Sequence, residues 1–359
     1  MHLEPRENSE LFGHQNEEDS FISAWNSSRL PHAWLLGGTR GIGKASFAYR
    51  VARYVLSQPA NSALDKTGLF SLQKKENTLY LASEDPLFRK IASGGHPDLL
   101  TLQRTVSEKD GRLSSSISVE EVRSSGNFLR LTPAEGGWRV LIIDSADDLN
   151  LNAANALLKI LEEPSLRTII LLVSHLPSRL LPTIRSRCCR LNFKPLSLGY
   201  FTTVVQKRLP SLNNQLVEEL FELSSGSPGK AVLIHEQDGL LCLQELITVL
   251  KSFPANQSTS SLHGLADQLG ASGREEKFRI TLDLFCSWLS RQIREKTLNS
   301  SLRQHQNTGL KFIDDTKLDV LLELWNKIRN LSERALQQNL DRKSVLLSVF
   351  SMIRRASRD

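Results

Sequence analysis

The sequence predicts an α/β fold with a parallel sheet, followed by a helical C-terminal half. Up to about residue 195, short runs that are apolar throughout alternate with segments of helical periodicity, a pattern typical of parallel strands covered on both faces. A glycine-rich turn at 38–44 lies between one such run and a helix. Beyond Lys194 and Pro195 the strand pattern stops. At ~100–200 residues per domain, this length predicts two or three domains.

The predicted elements follow one another in a regular order. Strands are expected at 32–36, 98–102, 140–143, 168–173 and 188–193. Helices are expected at 17–27, 44–56, 119–131, 152–163 and 178–186. Ser118 and Glu121 have the spacing of a capping box for the helix at 119–131. Residues 57–95 are interpreted as an insertion with little regular structure, and 109–116 as a polar loop.

The C-terminal part is predicted to be helical throughout. Residues 197–245 have the pattern of a small helical unit, and 246–359 that of a larger one with polar loops at 252–261 and 299–308. We therefore expect an α/β domain at 1–195 and helical domains at 196–245 and 246–359.

Composition indicates a cytoplasmic globular protein. The N-terminal residues are polar, with no apolar segment typical of a signal peptide, and no apolar run approaches the ~18 residues of a membrane span. The four cysteines form no CxxC pair, which argues against a zinc ribbon or a thioredoxin-type site. A formal charge of +6 is compatible with a nucleic-acid-binding face and equally with a solvated surface.

The glycine-rich turn matches the GxxxxGK pattern of a phosphate-binding loop. In such loops, backbone N–H groups converge on phosphate oxygens and the lysine adds a positive charge. The alternative is a tight strand–helix turn. The pattern should end in Ser or Thr to bind Mg²⁺, but Ala45 stands there, and Ser46 is rotated by about 100° around the helix. We expect ATP or ADP to bind weakly, if at all, through these residues: Gly38, Thr39, Arg40, Gly41, Ile42, Gly43, Lys44 and Ala45.

Asp144 ends the apolar run at 140–143, which is the pattern of a Walker B strand. A second acid usually follows and polarises the attacking water. Ser145 takes that place, and Asp147 and Asp148 come later. The alternative for Asp144 is that it caps the next helix.

These motifs together resemble the bacterial clamp-loader AAA+ family. The stretches LLGGTRGIGK, WRVLIID, NAANALLKILEEP and SRC occur in its order and spacing at 35–44, 138–144, 152–164 and 186–188. The segments at 96–98, 226–229 and 339–343 resemble the delta-prime branch. The resemblance implies a RecA-like AAA+ domain, a helical lid and a collar. It also implies a fixed subunit of the DNA polymerase III clamp loader, with gamma/tau and delta subunits as partners and the sliding clamp and primed DNA reached through the complex.

The resemblance also assigns roles to individual residues. Arg187 corresponds to an arginine finger that reaches a neighbour's ATP in trans; the alternative is a surface ion pair. Ser174 and His175 fall at the sensor 1 position, and Gly229 replaces the sensor 2 arginine. Many relatives bind zinc between the loop helix and the second strand, but residues 45–97 contain no cysteine, so no zinc is expected.

Three hypotheses follow from the sequence. The chain is a non-hydrolysing clamp-loader subunit, a self-sufficient AAA+ ATPase of the gamma/tau type, or a DNA-binding scaffold that merely keeps the fold. Ala45, Ser145 and Gly229 favour the first hypothesis over the second. The modest charge favours it over the third.

Overall fold

The computed structural model describes residues 4–27, 30–58, 78–105, 114, 116–135, 137–251, 259–302, 311–337 and 340–357. The chain forms two compact units. The first contains Met1–Leu212 and Ser225–Gly229, and the second contains Asn213–Ser224 and Lys230–Asp359. The three domains predicted from the sequence have other boundaries and stay a prediction.

The first unit is built on a five-stranded parallel sheet, which confirms the predicted fold class. Its strands are β1 (Ala33–Gly37), β2 (Leu99–Leu102), β3 (Arg139–Ile143), β4 (Thr168–Ser174) and β5 (Cys189–Asn192). They lie in the order β2-β3-β4-β1-β5, and every pairing is parallel. All five predicted strands are present, so their carboxyl ends share one edge of the sheet.

Helices cover both faces of this sheet. The first face packs against α1 (Gln15–Asn26) and α2 (Lys44–Leu56), and the second against α4 (Val119–Arg130) and α5 (Leu151–Glu162). Successive strand residues alternate between the two cores, because side chains along a strand point to opposite faces. Leu35 and Leu36 of β1 illustrate this alternation, since each belongs to a different core.

The ends of two helices are fixed by side-chain caps. The Glu121 backbone N–H donates to Ser118 Oγ (3.3 Å), and the Ser118 N–H donates to Glu121 Oε2 (2.7 Å), which confirms the predicted capping box. At α5, the Ala153 N–H donates to Asn150 Oδ1 (2.8 Å). Each cap satisfies a backbone donor that has no partner within its helix.

Two predictions between strands were wrong in detail. Residues 57–95 contain a helix, α3 (Pro86–Ala92), whose N-cap Asp85 accepts the Leu87 N–H at 2.8 Å; residues 59–77 lie outside the described residues. The helix expected at 178–186 is divided into a 3₁₀ turn (Pro177–Arg179) and α6 (Pro182–Arg185). Proline disfavours the helical conformation in the residue before it, and Leu181, with φ −53° and ψ 134°, is accordingly not helical.

The described part of the second unit consists of helices joined by loops. Helix α7 (Leu198–Arg208) still belongs to the first unit, and α9 begins there at Pro228. The helices from α8 onward are α8 (Asn214–Ser224), α9 (Pro228–Glu236), α10 (Gly239–Lys251), α11 (Thr259–Gly270), α12 (Glu275–Leu302), α13 (Lys311–Asp315), α14 (Leu318–Gln337) and α15 (Arg342–Ala356).

The loops predicted at 252–261 and 299–308 are shorter than expected, because α11 begins at Thr259 and α12 ends at Leu302. The rest of both stretches, 252–258 and 303–308, lies outside the described residues. Among the helices that the structure describes, none combines the length and the apolar character needed to span a bilayer.

Candidate functional site

The predicted phosphate-binding loop connects the carboxyl end of β1 to the start of α2. Gly38, Gly41 and Gly43 all have positive φ angles, which glycine adopts without strain. A Cβ at Gly38 would lie 2.5 Å from the Phe193 carbonyl oxygen, so this position has no room for a side chain. The loop therefore has the backbone of a phosphate cradle at the N-terminus of a 13-residue helix.

Lys44 lies inside this loop. Its ammonium donates to the carbonyl oxygens of Gly38 (2.6 Å) and Thr39 (2.5 Å), and the residue is only 3% exposed. Burial lowers the pKa of Lys44 to about 8, although the charges of Asp147 and Asp144 act to raise it. At neutral pH the ammonium is therefore mostly charged and available to a phosphate.

Asp144 joins the same site from the end of β3. Burial raises the pKa of its carboxyl group, while the cations of Lys44 and Arg40 act to lower it. The helix-capping alternative is not what the structure contains, since Asn150 caps α5 and Ser145 occupies the N-cap position of the 3₁₀ turn at Ala146–Asp148. Asp144 is thus, with Asp147, one of the two acids whose charges act on the loop lysine.

The groups that would complete a magnesium site are absent from their expected positions. Ala45 offers no oxygen, and the Ser46 hydroxyl accepts the Asn8 amide at 3.4 Å and so faces the N-terminal segment. Among the described residues there is no group of three His, Cys, Asp or Glu side chains able to hold a metal ion. At the loop itself, the residues present fit a phosphate but lack the hydroxyl that binds Mg²⁺ in a hydrolysing site.

Ser145 and His175 follow the carboxyl ends of β3 and β4 and lie in contact there. The Ser145 hydroxyl lies 3.1 Å from His175 Nε2. Burial, and next the Lys44 charge, lower the pKa of His175 to about 4, so the imidazole is neutral at pH 7. A hydroxyl hydrogen-bonded to a neutral imidazole does not replace the carboxylate that polarises water.

Asp147, which sequence reasoning gave no role, organises the end of β4. Its carboxylate accepts the Ser174 hydroxyl (2.8 Å) and the backbone N–H groups of His175 (2.5 Å) and Leu176 (3.1 Å). With these donors attached, the carboxylate is a structural anchor for the strand end. The sequence signal for this anchoring role is weak, because it consists of the position of Asp147 in an acidic turn, two residues after Ser145.

A second segment of the first unit lies directly on the loop. The Ser227 hydroxyl donates to the Arg40 carbonyl (2.7 Å), and the Gly229 N–H donates to the Gly41 carbonyl (2.9 Å). A Cβ at Gly229 would lie 2.8 Å from Gly41 Cα. The position assigned to sensor 2 therefore has no space for an arginine, because the backbone itself occupies that volume.

The N-terminal segment also touches the loop, a contact that sequence reasoning missed. His14 Nε2 donates to the Ile42 carbonyl at 2.7 Å, and the ring is almost fully buried. Beside it is a cavity of about 290 Å³, lined by residues that include Leu11, Phe12 and Tyr200. His14 thus lines this cavity and also contacts the loop.

Arg187 lies at the opposite edge of the sheet from the loop. Cys189, two residues later, pairs with Trp34 near the start of β1, whereas the loop begins after Gly37 at its end. Three residues of strand separate these levels by ~10 Å. The Arg187 guanidinium contacts Glu162 Oε1 through Nη2 (2.7 Å) and the Thr183 carbonyl through Nη1 (3.0 Å), and 36% of its side chain is exposed.

Of the two adjacent cysteines, Cys188 is buried and Cys189, the first residue of β5, is partly buried. Burial raises the pKa of the Cys188 thiol to about 11. All four cysteines are free. Burial also raises the pKa of the Cys189 thiol, and a thiol with a raised pKa is a poor nucleophile at neutral pH.

Comparison with known proteins identifies one family. A family model described as "DNA polymerase III, delta subunit" matches residues 13–197. DNA polymerase III subunit delta' of Pseudomonas aeruginosa is 34% identical over 262 residues, which are 72% of this chain and 70% of that protein. The Escherichia coli subunit delta' is 28% identical over 69% of this chain and 67% of its own. A solved gamma subunit-related protein from Thermotoga maritima has a TM-score of 0.44 at 16% identity, covering 96% of this chain and all of that one.

Proposed function

Because this chain belongs to the family of DNA polymerase III delta-prime subunits, we propose that it is a clamp-loader subunit that does not hydrolyse ATP and acts through Arg187 on a neighbour's nucleotide. One observation carries this proposal. In the part of the chain that the structure describes, the carboxyl edge of the sheet carries an incomplete phosphate site, whereas Arg187 is presented at the other edge. The arginine cannot serve its own loop and is available to another chain.

The absence of hydrolysis is supported by four positions. Ala45 and Ser145 lack the oxygen and the carboxylate that hydrolysis needs, the Ser46 hydroxyl faces Asn8, and Gly229 excludes a sensor arginine. Lys44 and the loop backbone remain suited to phosphate oxygens. The proposal therefore includes weak binding of ATP or ADP without a metal ion, with the base in the cavity next to His14.

The action of Arg187 in trans is supported by its accessibility and chemistry. A planar guanidinium binds phosphate oxygens with two parallel N–H groups and never loses its charge. Its existing pair with Glu162 is half-exposed, and such pairs contribute only ~0–1 kcal/mol, so the pair does not withhold the guanidinium from a triphosphate. The pair uses one N–H group of the guanidinium, so the surface ion pair and the action in trans are compatible.

The partners follow from the family. Relatives of this chain include proteins named gamma and tau subunits of DNA polymerase III, at 24–25% identity. We propose that gamma/tau supplies the nucleotide that Arg187 contacts, that delta joins the same complex, and that the sliding clamp and primed DNA are engaged by the assembly. The proposed clamp-loader function takes place in the cytoplasm.

The test is ATP turnover by a complex reconstituted from this chain with gamma/tau and delta. Arg187→Ala should lower turnover at the neighbouring site by ~10³-fold or more, the effect typical of a lost arginine finger. Arg190→Ala is a matched control, because Arg190 is also exposed and also donates to a backbone carbonyl, that of Arg185. Unchanged turnover of the Arg187→Ala complex would rule out the action in trans.

A second measurement addresses the self-sufficient ATPase. The isolated chain with Mg²⁺ and ATP should show no turnover above that of the Lys44→Ala variant. Turnover that requires both Mg²⁺ and Lys44 would establish the competing hypothesis instead.

A further inference from the structure

We propose that Glu162 is the positioning residue for the Arg187 finger, an inference that rests on the function proposed above. In the structure, Glu162 is the acidic partner of Arg187, at 2.7 Å. It lies 25 residues earlier in the chain, as the last residue of α5.

The guanidinium is held from two sides. Nη2 contacts Glu162 Oε1, while Nη1 donates to the Thr183 carbonyl at 3.0 Å in α6. These contacts use two of the five N–H groups of an arginine. The remaining donors are free of these two anchors and can meet the oxygens of a phosphate.

The support for Glu162 is rigid. Leu157 and Leu161 of the same helix are buried in the core against the sheet, and the His32 ring donates to the Leu161 carbonyl at 3.0 Å. The Glu162 carboxylate is therefore attached to a helix end that is held in place by the core. A finger tethered there searches fewer rotamers than a free arginine side chain.

Helix stability does not explain a carboxylate at this position. The C-terminus of a helix carries a partial negative charge, so an acidic side chain there is unfavourable unless a cation accompanies it. An exposed ion pair also adds little to folding stability. With 47% of the Glu162 side chain and 36% of the Arg187 side chain exposed, the pair is better explained by orientation of the guanidinium than by stabilisation of the fold.

Orientation predicts a specific kinetic effect. The finger acts on charge that develops in the transition state, so loss of its positioning should lower kcat more than it raises the KM for ATP. We expect Glu162→Ala to reduce kcat in the reconstituted complex by about 3- to 10-fold, with a KM within about 2-fold of the native value.

The experiment compares five complexes with the native one. Glu162→Gln, which keeps an oxygen that can accept from Nη2, should recover part of the kcat lost in Glu162→Ala. Glu163→Ala, a change of the neighbouring exposed carboxylate, should match the native complex. In the Arg187→Ala background, adding Glu162→Ala should change kcat no further.

The outcomes separate this inference from its premise. If Arg187→Ala lowers turnover but Glu162→Ala leaves it unchanged or raises it, the positioning role is wrong and the finger stands. A double variant that is slower than Arg187→Ala alone would also overturn it, because Glu162 would then act independently of the finger. An Arg187→Ala complex with native turnover would remove the proposed function itself.

Discussion

Substitution of Gly229 by alanine tests the contact between the Ser225–Gly229 segment and the phosphate loop. A Cβ at this position would lie 2.8 Å from Gly41 Cα and 3.0 Å from the Gly41 carbonyl oxygen. Carbon atoms pack at ~3.5–4.0 Å, so the two backbones must separate by ~0.7–1.2 Å. That movement would stretch the hydrogen bond from the Gly229 N–H to Gly41, which is 2.9 Å long.

The expected cost can be worked out from these contacts. Overpacking costs ~1–3 kcal/mol, and loss of a hydrogen bond adds ~1 kcal/mol. Alanine is a better helix former than glycine by up to ~1 kcal/mol, which offsets part of this in α9. We therefore expect Gly229→Ala to lower the free energy of unfolding of the first unit by ~1–3 kcal/mol.

Urea unfolding followed by tryptophan fluorescence measures this, since Trp25, Trp34 and Trp138 all report on the first unit. Gly199→Ala is the matched control. Gly199 is also the second residue of its helix, α7, but a Cβ there meets nothing within 4 Å. The control should gain ~0.5–1 kcal/mol from helix propensity. If Gly229→Ala and Gly199→Ala have the same free energy of unfolding, the Ser225–Gly229 segment does not pack closely against the phosphate loop.

Two further predictions concern buried charges. The pKa of His175 is lowered to about 4, so the folded state binds fewer protons than the unfolded state between about pH 4 and 6.5, and stability falls as pH falls through that range. His175→Asn should flatten this part of the pH profile of urea unfolding, and an unaltered slope would assign the acid sensitivity to other groups. Asp98 is 1% exposed, accepts the Ala134 (2.8 Å) and Glu135 (3.0 Å) N–H groups and pairs with Arg139 at 3.3 Å. Asp98→Asn should lower the free energy of unfolding by ~2–4 kcal/mol. The control Asp148→Asn, in a partly exposed pair with Arg104, should lower it by less than ~1 kcal/mol. Similar losses in the two variants would show that burial of Asp98 does not cause the effect.

Local patterns in the sequence were sufficient for most of the first unit. The apolar runs predict β1 to β5, the spacing of Ser118 and Glu121 predicts their reciprocal cap, and the GxxxxGK pattern predicts the position of Lys44. Each of these depends on residues within a few positions of one another. The helix boundaries differ mostly by one or two residues, which is the ambiguity of fraying ends.

The missing predictions are contacts between residues distant in sequence. Nothing local to Gly229 indicates that it packs on Gly41, and nothing local to Glu162 indicates Arg187 as its partner. The role of His14 likewise depends on α1 folding back to the loop. The short helix α3 was missed because its Asp85 cap and Pro86 start lie in a polar stretch whose pattern resembles a loop.

The parallel sheet gives the first unit a direction. Under the function proposed above, a nucleotide lies at the carboxyl edge of the sheet and a guanidinium is presented at the opposite edge, so the two can meet only head to tail between successive chains, which makes every such contact heterologous. In a row of such contacts, a chain that presents the guanidinium but does not hydrolyse its own nucleotide completes the site of the chain it faces and needs no guanidinium from another. The proposed function therefore places such a chain at the end of a row of active sites.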